Sequence, residues 1–246
     1  MSDVVELQNF LRASAAPGRD VVAVPPFTAY LTPDDPLKYL NYAIPDGDVA
    51  PDPDAVERLR AAFRSRERLP RLEWLEEAAP RVASRLAAAG MAEELRTPLM
   101  ACRAEELVEP STDVEELSVS AVGARDLREA TNLQRVAFGG APLGAEEEPK
   151  SPGGGAVLAR SGSNPVSAAA WTAVLDGASE VVGVATAQAW RGRGLAGVIT
   201  AAAARAAFAA GADLCVLSPG SETAQRVYAR AGFRRVATML HWSDPW

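Results

Sequence analysis

VVGVATAQAWRGRGLAGVITAAAARAAFAAG, residues Val181–Gly211, places three local structures end to end. Val181–Ala187 is a short apolar run of the kind that forms a strand. Arg191-Gly192-Arg193-Gly194 is a tight, basic, glycine-rich corner. An alanine-rich helix then starts near Leu195. Glycines let successive backbone N–H groups turn toward one point, and a helix N-terminus adds partial positive charge there. With two arginines beside it, the corner predicts a site for a diphosphate or similar anion, although such corners also occur as plain surface turns.

The rest of the composition sets bounds. The chain has 246 residues, long for one domain and comfortable for two small ones. With 48% hydrophobic and 23% charged residues it is expected to fold as a soluble globular protein. A net charge of -7 argues against general nucleic-acid binding, which needs a broad basic surface. Cys102 and Cys215, the two cysteines, stand in separate apolar settings, which suits a reducing cytoplasm and no disulfide framework. One histidine and two cysteines leave no metal-ligand cluster to expect. Neither a signal segment nor a membrane span is read from the chain; the longest candidate, Leu195–Ala212, carries Arg205.

Working outward from the corner, periodicity predicts an α/β chain. Residues 1–20 carry a helical pattern that stops at Pro17-Gly18. Val21–Val24 reads as a short strand ended by Pro25-Pro26, and Tyr39–Ile44 as another. A helix capped by Asp54 follows, then a strand at Leu69–Trp74. Leu75–Ala89 reads as a helix, with Pro80 an alternative start, and Leu95–Cys102 as a returning strand. A composition shift at Val108–Asp113 marks a domain boundary, giving domains 1–110 and 113–246. In the second, strand Glu116–Val122 leads to helix Ala124–Phe138, and the glycine-rich loop 139–155 is expected to be mobile. Ala156–Arg160 and Val166–Val174 form a hairpin. Strand Leu214–Leu217, helix Glu222–Ala231 and strand Phe233–Trp242 close the chain. Both halves end strand, helix, strand, helix, glycine, strand, which is either a structural repeat or the ordinary echo of α/β chains. If it is a repeat, the first half has Asp46-Gly47-Asp48 where the second has its basic corner, and these aspartates repel phosphate.

Gly192-Arg193-Gly194-Leu195-Ala196-Gly197 spells the dinucleotide fingerprint G-x-G-x-x-G, but the context rejects it. Arginine is an odd occupant of a turn that must fit under a dinucleotide. Leu217-Ser218-Pro219 stand where an acidic residue is needed to end the next strand, and too little chain remains for a doubly wound domain. Arg191-Gly192-Arg193-Gly194-Leu195-Ala196 instead matches Arg-x-x-Gly-x-Ala, and Ala224-x-x-x-Tyr228-x-x-x-Gly232-Phe233 follows it. In these two motifs the chain resembles the GNAT superfamily of acyl-CoA-dependent N-acyltransferases over roughly residues 113–246. Ser221 stands where the family often has asparagine.

The resemblance implies an α+β fold: a mixed sheet splayed at the cofactor, preceded by a degenerate, related half. It implies an acetyltransferase that uses acetyl-CoA, without a metal, to acetylate a primary amine on a small molecule or peptide, as a monomer or homodimer. The backbone N–H groups of Gly192, Arg193, Gly194, Leu195 and Ala196 would hold the pyrophosphate, with Ser221 and Ala224 nearby, and the side chains of Arg191 and Arg193 either pair with the phosphates or are solvated. Val184, Ala185 and Thr186 would pair with the pantetheine, and the N–H of Val184 would polarise the thioester carbonyl. Tyr228 would protonate the leaving thiolate. The general base stays open between Glu180, His241 and a water. The glutamates Glu146–Glu148 are either a solvated loop or an attraction for a cationic amine. A non-catalytic acyl-CoA sensor and an interaction module are the alternatives.

Overall fold

The computed structural model describes residues 4–33 and 37–245, and of Ala124 and Arg125 only the backbone. The first three residues of the expected N-terminal helix therefore lie outside the description. The chain divides into two compact units, one running through Leu99 and taking back Val236 onward, the other Met100–Arg235.

The first unit contains helix α1 (Val4–Ala15), strands β1 (Asp20–Val24), β2 (Phe27–Leu31) and β3 (Tyr42–Pro45), helix α2 (Pro53–Arg64), strand β4 (Arg71–Leu75), helix α3 (Val82–Ala88) and most of strand β5 (Ala92–Cys102). Pro25-Pro26 ends β1 at Val24, as expected. It also forms the turn of a hairpin in which Val24 faces Phe27, so β2 is a strand that the sequence reading lacks. The strand expected from Tyr39 begins only at Tyr42, after a single short turn at Lys38–Leu40. The cap of α2 is Asp52, not Asp54: its carboxylate accepts from the Ala55 N–H at 2.7 Å, with Pro53 opening the helix. α3 takes the later start that Pro80 offered. The core of this unit gathers Phe27, Leu59, Phe63, Trp74 and Leu86 around the sheet.

The last strand, β11 (Arg234–Ser243), departs from the expected domain boundary. From Val236 onward it belongs to the first unit, where Met239–Ser243 pairs antiparallel with β4. Side chains secure it. Asp244 accepts from Arg60 at 2.8 Å and from Arg64 at 3.0 Å, and Glu77 accepts from the Thr238 N–H and hydroxyl. Arg71, 2% exposed, donates to Glu73 and, at 2.9 Å, to Glu94. Burial of Glu94 disfavours its charge, yet hydrogen bonds from Arg71, Lys38 and Ser243 outweigh that and hold its carboxyl at about 2 rather than 4.5. A depressed folded-state value means that this stabilisation is complete above the ordinary carboxylate range and is lost as the pH falls toward about 2. Arg71→Met should leave two carboxylates without their buried partner and cost about 3–5 kcal/mol. Urea midpoints at neutral pH measure the loss. In the variant the acid-dependent part of the stability curve should flatten; an unchanged curve would show that the cluster is solvated.

The second unit contains β6 (Leu117–Ala121), α4 (Ala124–Ala137), β7 (Gly155–Ser161), β8 (Asn164–Trp171), β9 (Ala178–Thr186), α5 (Leu195–Ala209), β10 (Leu214–Leu217) and α6 (Glu222–Arg230). Strands β6, β7, β8 and β9 pair antiparallel in that order, β9 pairs parallel with β10, and β10 pairs antiparallel with the end of β5. The first unit repeats this order of senses with one antiparallel strand fewer: β1, β2 and β3 antiparallel, β3 parallel to β4, β4 antiparallel to β11. In each unit the strand that completes the pattern comes from the other half of the sequence. A boundary drawn from composition cannot show this.

Alternation on β7 and β8 sorts their side chains between two helices. Leu158 and Ala168 meet Ala130 and Leu133 of α4, whereas Val157, Ala169 and Trp171 join Ile199 and Ala203 of α5. The buried alanines of α5 let its backbone lie close to the sheet. The 139–155 loop, expected to be mobile, is tied to α4 over residues 141–147. Arg128 donates to the Gly144 and Glu147 carbonyls, Asn132 accepts from Leu143 N–H at 2.8 Å, and Arg135 pairs with Glu147 at 2.7 Å. A Cβ on Gly155 would stand 2.4 Å from the Trp171 ring, so that glycine serves close packing. Cys102 and Cys215 are not in separate settings either: they face each other across β5 and β10, both buried. Burial pushes their thiols up to about 11 and about 12, so both stay protonated.

Candidate active site

The site lies in the second unit, where β9 leaves β10. Their parallel pairing joins only Ala178–Glu180 to Leu214–Val216. β9 continues to Thr186 while β10 ends at Leu217, so the sheet opens along Val181–Thr186. On its other edge β9 carries a bulge. Ala168 faces Ala185 and Ala170 faces Val182, so Gly183 and Val184 together oppose Ala169. Gly183 has φ +61°, the left-handed conformation of a bulge that starts on glycine.

Beyond Thr186 the chain makes a short turn at Gln188–Trp190 and enters the basic corner. Gly192 and Gly194 both have φ +82°. A Cβ on Gly194 would lie 2.6 Å from the Ser111 carbonyl oxygen, and one on Gly197 would lie 3.1 Å from the Pro110 ring. The segment after β5 thus runs against the start of α5, and Thr112 fixes the contact by donating to the Arg193 carbonyl at 2.6 Å. The same segment explains Gly232, whose Cβ would meet the Glu106 carbonyl oxygen. Gly194 caps α5 with no side chain; the Gly197 N–H turns back to the Gly194 carbonyl at 3.1 Å, and the N–H groups of Leu195 and Ala196 are left without an acceptor inside the helix.

A cleft of about 570 Å³ brings the expected residues together: Val184, Ala185 and Thr186 from β9, Arg191, Gly192, Gly194, Leu195 and Ala196 from the corner, and Ser221, Ala224 and Tyr228 around α6. Ser221 caps α6, accepting from the Ala224 N–H at 3.1 Å, so this helix start is closed where that of α5 is open. Tyr228 is half-buried and packs against the core of its unit. Burial raises its phenol above 10.0, which keeps the O–H protonated.

Arg193 does not line the cleft. Its guanidinium lies over Trp190, 5.0 Å from the ring centroid, and pairs with Asp113 at 3.1 Å. The guanidinium of Arg191 donates to the Ala137 carbonyl at 3.1 Å and still borders the cleft. Neither candidate base lines it. Glu180 stands where β9 still pairs with β10, and His241 lies in the first unit, 3.3 Å from Glu73. The sequence reading also lacked Phe138, Trp190, Gly197, Thr223, Val227 and Arg230, all cleft residues. Helical spacing from Ala224 reaches Val227, and from Val227 it reaches Thr223 and Arg230; Phe138 follows the end of α4, which no local pattern ties to the corner.

The matching corner in the first unit is closed from within. The Asp52 carboxylate occupies the start of α2, and Asp48 accepts from the backbone N–H and, at 2.8 Å, the guanidinium of Arg81. Carboxylates hold the places an anion would take. The open cleft of the second unit offers the free N–H groups of Leu195 and Ala196 at one end, a strand edge along it and a protonated phenol on the wall, a set that can hold an elongated ligand with an anionic end.

The family model "FR47-like protein" matches residues 158–242. A GCN5-related N-acetyltransferase from Kribbella flavida is 32% identical, with 100% of this chain and 97% of that chain covered and a TM-score of 0.86. A putative acetyltransferase of the GNAT family from Novosphingobium aromaticivorans is 21% identical, covering 92% of each chain at a TM-score of 0.53. A tandem GNAT protein from the clavulanic acid biosynthesis pathway is 11% identical, covering 88% of this chain and 77% of that one at a TM-score of 0.60. These last two likenesses concern the fold alone. None of the curated proteins matches the sequence. Among the described residues no helix is long and apolar enough to cross a membrane. With the splayed sheet, the open corner and a relative of this identity along the whole chain, the protein belongs to the GCN5-related N-acetyltransferase family.

Proposed function

We propose that the protein transfers the acetyl group of acetyl-CoA directly to a primary amine of a small molecule or peptide. The reading rests on one observation: the uncapped start of α5 and the phenol of Tyr228 face the same cleft, at whose wall β9 is free of β10. The N–H groups of Leu195 and Ala196, backed by the α5 dipole, hold the pyrophosphate. Val184–Thr186 lies along the pantetheine, and the Val184 N–H polarises the thioester carbonyl, an effect worth roughly 3 kcal/mol. The amine nitrogen attacks the carbonyl carbon, the C–S bond breaks, and Tyr228 O–H gives its proton to the sulfur. The proton lost by the amine passes to water, and Tyr228 is then reprotonated from solvent.

Calorimetry with acetyl-CoA and with CoA tests the reading first. We expect both to bind with one site per chain, because the first unit's corner is filled by its own Asp48 and Asp52. Two equivalent sites would overturn the closed-corner assignment, and no binding would end the transferase reading. A thiol-release assay across an amine panel then separates the enzyme from a sensor that binds without turnover.

A further inference from the structure

Gln134 projects from α4 toward the bulge of β9. Its Nε2 donates to the Gly183 carbonyl oxygen at 2.8 Å. A Cβ on Gly183 would lie 2.4 Å from that same nitrogen, so the glycine leaves the space that the amide fills. Gly183 is the left-handed residue that begins the bulge, and Val184, which follows it, lines the acyl cleft. Gln134 does not line that cleft. Its flank instead borders a second cavity of about 360 Å³, with Thr131 and Ala170, on the α4 face of the sheet. A bulge leaves one residue out of the ladder and is free to relax unless something outside the strand holds it. Here the Gln134 amide supplies that hold.

We infer that Gln134 is a positioning residue for acyl transfer: by pinning the Gly183 carbonyl it fixes the peptide that aims the Val184 N–H. This rests on the acetyltransferase reading above. The Gly183 carbonyl and the Val184 N–H belong to one planar peptide unit, so holding the oxygen sets the direction of the hydrogen. An oxyanion donor acts only if it is oriented before the reaction, and a displacement of about 1 Å costs up to a hundredfold in rate.

Gln134→Met and Gln134→Glu keep the side-chain volume but cannot donate to Gly183 at neutral pH. The assay uses acetyl-CoA with the amine that gives the fastest thiol release. We expect kcat to fall by about tenfold or more in both variants, with the KM for acetyl-CoA and the CoA affinity within about threefold of wild type. In calorimetry, the preference of the wild type for acetyl-CoA over CoA should shrink in the variants, a readout that needs no acceptor. Gly183→Ala should lower kcat similarly, and adding Gln134→Ala should bring little further loss, since both act on one contact. Melting temperatures within a few degrees of wild type confirm that the variants are folded; a variant that is not is replaced by Gln134→Leu.

If the wild type turns over and Gln134→Met keeps its full kcat and its acetyl-CoA preference, the inference is overturned. Additive losses in the Gly183 and Gln134 pair would overturn it as well. A wild type that binds neither acetyl-CoA nor CoA overturns the acetyltransferase reading, and this inference with it.

Discussion

Tyr228→Phe is expected to slow acetyl transfer by about two to four orders of magnitude while acetyl-CoA affinity stays within about threefold. The substitution removes one oxygen and keeps the ring, which packs against the core of the second unit, so the cleft retains its shape. What disappears is the proton that the departing thiolate needs. Burial raises the Tyr228 phenol above 10.0. An acid with a raised value is present below it and lost above it, so wild-type kcat should hold through neutral pH and fall only on the alkaline side of 10. The residual activity of the variant should lack that limb. Steady-state thiol release from pH 6 upward measures both points. Unchanged turnover in Tyr228→Phe would remove the tyrosine from the mechanism and leave a solvent proton in its place.

Gly194→Ala should weaken acetyl-CoA binding by more than about tenfold and lower the melting temperature as well. Two penalties coincide at this position. The backbone is left-handed, at φ +82°, and the new methyl would meet the Ser111 carbonyl oxygen at 2.6 Å. Neither the Ser111 peptide nor α5 moves without the other, because Thr112 ties the segment to the Arg193 carbonyl. The corner must therefore open, and the first N–H groups of α5 turn away from the cleft. Gly192→Ala is the control. It has the same φ, +82°, but nothing lies within 4 Å of its Cβ position, so only the backbone strain of about 1–2 kcal/mol applies. Calorimetry should rank wild type, Gly192→Ala and Gly194→Ala in that order. Equal losses at the two glycines would mean that conformation alone, and not the close approach of the 110–112 segment, accounts for the corner.

Much of the second unit is local in origin and was legible. The glycines and arginines of Arg191–Gly194, the alanine run of α5 and the Ala224–Tyr228 spacing each express themselves within one or two turns of chain. Gly183 carried a signal too, since an isolated glycine within a strand pattern points to a bulge. Its partner Gln134 carried none. A glutamine on an amphipathic helix looks like any solvated residue until α4 is laid over β9. Arg193 shows the same limit: the sequence left it open between pairing with an anion and facing solvent, and only tertiary structure sets its guanidinium on Trp190 and Asp113.

In the first unit, local chemistry fell short where it had two readings. Pro25-Pro26 ends β1 as expected and also makes a turn, and only the facing pair Val24 and Phe27 shows that a second strand follows. Asp52 and Asp54 are both good caps. Pro53 at the first helical position settles the choice for Asp52.

By itself, the sequence determined where the glycine-rich corner lies, which tyrosine is spaced after it and to which family those motifs point. Those properties reside in backbone conformations and helical spacings that neighbouring residues impose. Tertiary structure decided which strands complete each unit, that β9 opens from β10 beyond Glu180, that the first unit fills its own corner with aspartate, and that α4 holds the bulge. Each of these is a pairing between segments far apart in the chain. Strand periodicity shows which side of a strand is buried, but it carries no information about the strand or helix that covers it.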